Sequence, residues 1–503
     1  MVLCSTLRLS TSAVFLLLFV PNVVSQQVPR SARLAAVTSR DKFARDRILV
    51  KFRHGMSVSA KTSVHASMGA RSLKQYTAVR DLEAVAIPAS LDIRAALSSY
   101  RRRPEVEYAE PDYTVHLSST PNDPLFPQMW NLLNTGQNGG TPGDDVGATL
   151  AWSLSTGNHN VVIATIDTGI DYTHPDLIPN LFHDTSVCNG IDDGTNGCYG
   201  ISTVYYTSSP FDDNGHGTHV SGIIGAAGNN NLGVVGINWN VQLLSCKFLD
   251  STGSGQTSDA ISCLDYVLQM KNNGYNIVAT NNSWGGVEYS QALNDAIEAQ
   301  EQAGILFIVA AGNEFANNDV VSAYPANTAL PNVISVAATT RTDALAVFSN
   351  TGRHTVHLGA PGQEILSTLP GNNYGVLSGT SMATPQVTGA IALLAAQNPS
   401  VDWHGLKNLI LSGGDSRASL AQTVSGKRLN LNGSMTCSGK TVEGRLQPVN
   451  DAVAATSGVP LTLEVLNVDC AQPAGNVQVT VSPGGQILNL TDDGTGADQV
   501  SGD

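Results

Sequence analysis

Continuous apolar runs and alternating polar and apolar stretches divide this chain into regions of different architecture. Between residues 47 and 113, the strand-like "RILVKF" and "LEAVAIP" and the closing "EVEYAEPDY" suggest a compact α+β pattern of domain size. The next stretch, "LSSTPNDPLFPQ", has three prolines among small polar residues and reads as an exposed linker. After it come the uninterrupted runs "VVIATID", "NIVATNNSW", "GILFIVAAGNE" and "NVISVAA", as expected of strands buried on both faces. Helical patterns at 258–273 and 290–303 lie between them and end at Asn-Gly and Ala-Gly. Alternating β and α predicts an α/β fold, a parallel sheet with helices on both faces. Ligands of such sheets bind beyond the carboxyl ends of the strands. From 436 onward, "LTLEVLNV" and "VQVTV" between turn residues suggest a small β-sandwich.

One helix has an unusual start. In "LSGTSMATPQVTGAIALLAAQ" the apolar residues Val387, Ile391 and Leu394 fall on one helical face. Pro385 lacks an N–H and suits the first turn, which places Ser381 at or just before the helix N-terminus. Free N–H groups and the positive end of the helix dipole can stabilise developing negative charge there. An N-cap serine is the commoner use of such a residue.

Composition and charge refine the division. The chain has 503 residues, 42% of them hydrophobic, enough for about three domains with real cores. Residues 1–25 hold Arg8, the apolar "AVFLLLFV" and a small-residue ending "VVS", the pattern of a secretory signal peptide cut after Ser25. No later stretch has the eighteen or so apolar residues of a membrane span, so a soluble, secreted protein is expected. Six cysteines remain after Cys4 leaves with the leader. Sequence order suggests pairs 188–198, 246–263 and 437–470, but fifteen pairings are open, and Cys246 and Cys263 could equally be buried thiols. Residues 26–118 carry 16 Lys and Arg against 9 Asp and Glu, while residues after 118 carry 10 against 32. That acidity argues against a nucleic-acid partner and suggests either cation binding or attraction between the two pieces. The resulting division is 1–25 signal peptide, 26–118 basic segment, 119–435 α/β domain and 436–503 β-rich module, with the natural polypeptide expected to continue further.

Three segments carry candidate chemistry. "VVIATIDTGID" ends a strand in Asp167, "DDNGHGTHVSG" places His216 where a glycine-rich loop enters a helix, and "GTSMATP" supplies Ser381. A carboxylate, an imidazole and a hydroxyl suffice for acyl transfer: the histidine takes the serine proton, and the aspartate holds the imidazole in the right tautomer. The chain order Asp, His, Ser is that of subtilisin, and Gly-x-Ser-x-Ala around Ser381 differs from the α/β-hydrolase elbow.

With "AAGNE" as a fourth motif, the chain resembles a subtilisin-like serine protease of the secreted bacterial type over residues 120–415. Residues 47–113 look like the inhibitory propeptide of that family. The resemblance implies a self-processing endopeptidase acting on protein or peptide substrates, with its own propeptide as intramolecular inhibitor. It also implies that Asn313 supplies the oxyanion side chain beside the Ser381 N–H. Ser283, Trp284 and Gly285 would form the edge that pairs with substrate, with Gly312 and Ala323 at the main pocket and Glu314 at its rim. Trp284 stands where the family usually has leucine and is expected to reshape a specificity pocket. Proprotein convertases share that tryptophan but differ at Gly286 and His219, so strict dibasic specificity is not expected.

Calcium is the expected cofactor. Asp176, in "HPDL", matches a calcium-binding position of relatives, and the insertion "HDTSVCNGIDDGTNGCYG" offers Asp192, Asp193 and Asn196 as oxygen ligands. The insertion fails the EF-hand pattern at Gly194 and Thr203, and an acidic turn without metal is equally compatible with it. His174 reads as structural. Asn432 and Asn489 fit the glycosylation pattern, whereas Asn281 lies against the substrate edge. A second function class stays open, a catalytically silent subtilisin-like domain serving as a binding or adhesion module.

Overall fold

The structure is a computed structural model. It describes residues 2–7, 14–19, 43–88, 90–113, 119–184, 199–204, 209–286, 288–438, 441–447, 452–455, 461–470, 477–482 and 486–490. Two compact units emerge, Ala32–Leu117 and the rest of the chain.

The smaller unit is a four-stranded antiparallel sheet in the order Arg71–Gln75, Leu82–Ala86, Phe43–Phe52, Val106–Tyr113. Its helices, Val58–Ala66 and Ile93–Arg101, start where Ser57 and Asp92 accept backbone N–H bonds with their side chains. Ile48, Val50, Phe52, Leu97 and Tyr100 form its core. The strands include the three runs that the hydrophobic pattern suggested.

The larger unit is built on a nine-stranded sheet. In chain order its strands are β1 (Gly157–Asp167), β2 (Gly200–Ser202), β3 (Asn240–Lys247), β4 (Ile277–Asn282), β5 (Leu306–Ala310), β6 (Val333–Thr339), β7 (Leu358–Pro361), β8 (Asp415–Ser416) and β9 (Lys427–Arg428). The spatial order is β8-β9-β7-β6-β5-β4-β1-β3-β2, parallel except for the β8–β9 pair. Burial on both faces follows from the pleat. Val161 and Ile163 of β1 join one apolar cluster, with α1 (His216–Gly225) and α4 (Thr380–Gln397); Val162, Ala164 and Ile166 join the other, with α2 (Thr257–Asn272) and α3 (Gln291–Gln302). Each fully buried aliphatic side chain of this size contributes about 2 kcal/mol.

Two expectations need correction. Residues 119–128 are not an exposed linker: Pro121, Asp123 and Phe126 are buried, and Leu125 N–H donates to Gly233 O at 2.8 Å. Polar and proline-rich composition marks irregular backbone, but the residues between the exposed ones here dock onto the domain. Pro385 is not in the first turn either, because α4 begins at Thr380. The helix is also enclosed along nearly its whole length, with Thr380 and Met382–Ala395 buried, so its apolar face is only part of its buried surface.

The carboxy-terminal strands form two antiparallel groups, Thr441–Gln447 with Leu461–Asp469, and Val477–Ser482 with Gln486–Leu490. Leu463, Leu466 and Val468 share the apolar cluster of α4. Val2–Leu7 pairs with Leu461–Asp469, and Val14–Phe19 lies between Ala452–Ala455 and Val477–Ser482. Disulfides join Cys246 to Cys263 and Cys437 to Cys470, which resolves the open choice for Cys246 and Cys263 in favour of a bridge. Cys188, Cys198, Asp192, Asp193 and Asn196 lie outside the described residues.

Candidate active site

Asp167 is the last residue of β1, at the carboxyl end of the sheet, and is fully buried. Its Oδ1 accepts from Thr168 N–H at 2.7 Å and from the His216 ring through Nδ1 at 2.7 Å. Its Oδ2 has no partner among the described residues. Lys247, opposite Asp167 on β3, buries its ammonium here and donates to Thr168 O at 2.7 Å and Asp213 Oδ1 at 2.7 Å.

His216 opens α1. Gly215 before it has φ +110°, and a Cβ on Gly217 after it would lie 2.1 Å from Gly169 O, so both glycines of "GHGTH" are required by conformation or close approach. Gly215 offers no side chain to cap the helix, and Asp212 does that work from four residues upstream. It accepts from Gly215 N–H (2.8 Å), Thr218 N–H (2.9 Å) and Thr168 Oγ1 (2.9 Å), locking the aspartate turn to the histidine helix. Burial alone would lower the His216 pKa. The charge of Asp167 and its hydrogen bond, helped by Asp212, outweigh burial and raise it above 6.5.

Ser381 is the second residue of α4, with Gly379 as N-cap. Its hydroxyl donates to Ser283 O at 3.1 Å, and its carbonyl accepts from Ser283 Oγ at 2.9 Å. That carbonyl is free because Pro385, four residues on, has no N–H to donate. The proline in the second turn thereby lets helix and substrate edge exchange two hydrogen bonds. His216 and Ser283 line one cleft of about 540 Å³.

Asn313 follows β5. Its Oδ1 accepts from Thr380 N–H at 2.9 Å and Thr380 Oγ1 at 3.0 Å, which fixes the amide so that Nδ2 is the end left to donate. Gly312 (φ +113°) brings the chain close to Asn350, whose Nδ2 donates to Glu314 Oε2 at 2.9 Å. Trp284 and Gly285 line the cleft, and the indole packs edge-on against Phe248 at 4.9 Å between ring centres. Ala323 precedes Tyr324, whose carbonyl accepts from Gly286 N–H at 3.1 Å. The sequence-nominated catalytic residues and the substrate edge thus converge at the carboxyl end of the sheet. His174 is buried, accepting from Asp176 N–H through Nδ1 and donating from Nε2 to Asn373 O, an internal linker.

Asp176 lies elsewhere, fully buried beside a second carboxylate that sequence reasoning missed. Asp176 accepts from Asn230 Nδ2 at 2.7 Å and Val234 N–H at 2.9 Å. Asp123 accepts from Asn229 N–H at 2.8 Å through Oδ2, and its Oδ1 is buried without a partner among the described residues. Burial, with the Asp176 charge adding to it against backbone hydrogen bonds, pushes Asp123 up to about 6. The signal was present in "NDP" and "NNNLG", but about a hundred residues separate them.

Residues 158–426 match the subtilase family, and residues 29–112 match the fervidolysin N-terminal prodomain. The chain belongs to the subtilase family. A thermophilic serine proteinase of Bacillus sp. (strain AK1) is 35% identical over 347 residues, 68% of this chain and 77% of that one. Subtilisin-like protease 1 of Plasmodium falciparum (isolate 3D7) is 38% identical over 266 residues, but these cover 48% of this chain and only 38% of that one. A cold-adapted subtilisin-like serine proteinase of known structure is 31% identical, covering 55% of this chain and 90% of its own, with a TM-score of 0.45. As a subtilase this chain is a serine endopeptidase, with a prodomain preceding its α/β domain.

Proposed function

We propose that this subtilase hydrolyses peptide bonds with Ser381 as nucleophile, His216 as general base and Asp167 as its orienting carboxylate, and that the same triad releases the prodomain. The observation that supports this reading most directly is the 2.7 Å bond from the His216 ring to a buried Asp167. It fixes Nδ1 as the protonated nitrogen, so that Nε2 can take the serine proton and later return it to the leaving amine. The tetrahedral oxyanion would be stabilised by Ser381 N–H, a free donor in the first turn of α4, and by Nδ2 of Asn313. The edge Ser283–Gly285 would hold the substrate backbone as an added strand, with Gly312, Ala323 and the Glu314 rim shaping the pocket for its side chain. The experiment is labelling of processed protein with a fluorophosphonate: an adduct on Ser381 is expected, and its absence from folded protein favours the silent binding module.

The basic prodomain, joined to an acidic remainder, would act as a slowly released substrate until processing near 113–123. Export through removal of residues 1–25 is part of the same reading. It would strip Val2–Leu7 and Val14–Phe19 from the sheets in which they are paired.

We propose calcium as the ligand of the pair Asp123 and Asp176. The two buried carboxylates, one with an oxygen unpartnered among the described residues, are the hard oxygen ligands; Asn230 meets Asp176 through its Nδ2 at 2.7 Å, and its Oδ1, which accepts from Leu232 N–H at 2.8 Å, would have to turn inward to join them. Bound there, calcium would neutralise the pair and fasten residues 122–125 to the loop 229–234. Millimolar calcium is expected to raise the melting temperature of the processed enzyme over its value in chelator by about 5 °C or more, and Asp123→Asn to remove most of that rise. Identical melting curves with and without calcium would rule the site out.

A further inference from the structure

The cleft beside His216 is mostly made by one short piece of chain. Nine of the fifteen residues lining it fall between Phe248 and Ala260, and the disulfide Cys246–Cys263 closes a ring around that piece. Cys246 is the penultimate residue of β3, and Cys263 lies in the second turn of α2. Both are buried between sheet and helix.

Inside the ring the segment is held by non-covalent bonds, among them Asp250 N–H to Ser254 O at 2.8 Å and Lys247 Nζ to Leu249 O at 2.9 Å. Residues 251–256 are exposed, Gly253 takes the left-handed φ of +79°, and a Cβ on Gly255 would lie 2.2 Å from Phe248 O. The first turn of α2 has no side-chain cap, because Gln256 at the N-cap makes no such bond. A turn around Asp250 organises the tip, and Asn214 Nδ2 reaches Ser251 O at 3.0 Å. At the base, Thr203 Oγ1 spans Lys247 O (3.3 Å) and Asp259 O (3.2 Å), long bonds compared with a covalent bridge at the same level.

We infer that the Cys246–Cys263 disulfide is a positioning element of the substrate cleft. It sets α2 and its preceding loop against β3 before substrate arrives, so that the wall Gln256–Ala260 stands at a fixed distance from Phe248 and Trp284. Peptides long enough to place a side chain in the cleft bind a preformed wall, and the ordering cost is met during folding instead of at binding. Substrates confined to the scissile residue do not touch this wall. The inference rests on the proposed triad, since it assigns the cleft to substrate.

The test compares a single-residue ester with a tetrapeptide anilide on processed enzyme and on Cys246→Ala/Cys263→Ala, at a temperature where circular dichroism shows both folded. The expected result is a tenfold or larger fall in kcat/KM for the tetrapeptide, carried by KM, with the ester within twofold of its original value. An unchanged ratio between the two substrates, with Ser381 still labelled by fluorophosphonate, overturns the inference. Failure of the unaltered enzyme to label overturns the triad reading instead. If the double variant does not fold, the unaltered enzyme is titrated with reductant and alkylated. Loss of tetrapeptide activity must then follow modification of Cys246 and Cys263, and not of Cys437 and Cys470, while the fluorophosphonate titre holds; any other order overturns the inference.

Discussion

Two histidine–carboxylate pairs in this chain differ mainly in what the second ring nitrogen does. In the prodomain, His65 meets Glu83 through Nε2 at 3.2 Å and the Tyr100 hydroxyl through Nδ1 at 2.8 Å, with its side chain 4% exposed. In the larger unit, His216 meets Asp167 through Nδ1 at 2.7 Å, and Nε2 has no hydrogen-bond partner among the described residues, while 27% of the side chain is exposed at the cleft. Both carboxylates are buried. The prodomain ring is closed at both ends and further enclosed by Phe52 and by Lys61 beside Glu83, so it can only brace the helix–sheet contact. The His216 ring is braced at one end and available at the other, as general-base chemistry requires. A buried histidine–carboxylate pair is therefore no mark of catalysis unless one nitrogen stays open.

Replacing each ring should separate the two roles. His216→Ala is expected to cost at least about 10⁴-fold in kcat/KM and to stop prodomain release, with the circular dichroism spectrum unchanged. Near-normal turnover would remove His216 from the chemistry. His65→Gln disrupts the bonds to Glu83 and Tyr100 while Lys61 stays beside Glu83, and is expected to destabilise the prodomain by about 1–2 kcal/mol. Hydrogen exchange of residues 43–113 in the full-length Ser381→Ala chain measures that loss, and turnover of the processed enzyme should stay within twofold. A His65 effect on the turnover of enzyme that has lost its prodomain would contradict the comparison.

The smallest effect concerns pH. In the proposed mechanism activity needs neutral His216, and Asp167 with Asp212 raises its pKa above 6.5 despite burial. The acid limb of kcat/KM should therefore lie above 6.5, activity falling as pH drops through the raised value. Asp212→Asn removes one negative charge and should move that limb to lower pH, while His219, held near 4 by burial, stays neutral and contributes no step in that range. A limb that does not move assigns Asp212 to holding the loop alone.

Much of this protein was legible along the chain because its signals are local. Continuous apolar runs revealed β1, β4, β5 and β6, since a parallel strand buried on both faces has no polar side to show. Asp167, His216, Ser381 and Asn313 were nominated by short motifs whose glycines answer to local backbone geometry, as at Gly215 and Gly312. What sequence could not decide depends on contacts between distant residues. Whether Cys246 and Cys263 were thiols or a bridge depended on where α2 lies on β3. That Asp123, in a stretch resembling a loose linker, is buried with Asp176 depended on residues 121–126 docking against 229–234. That Pro385 sits in the second turn, freeing the Ser381 carbonyl for Ser283, depended on where α4 begins. Periodicity and turn chemistry act over a few residues, so sequence alone determined the sheet and nominated the candidate reactive side chains. Burial, pairing and the open nitrogen of His216 arise only when remote segments share a low-dielectric interior, and there the tertiary structure decided.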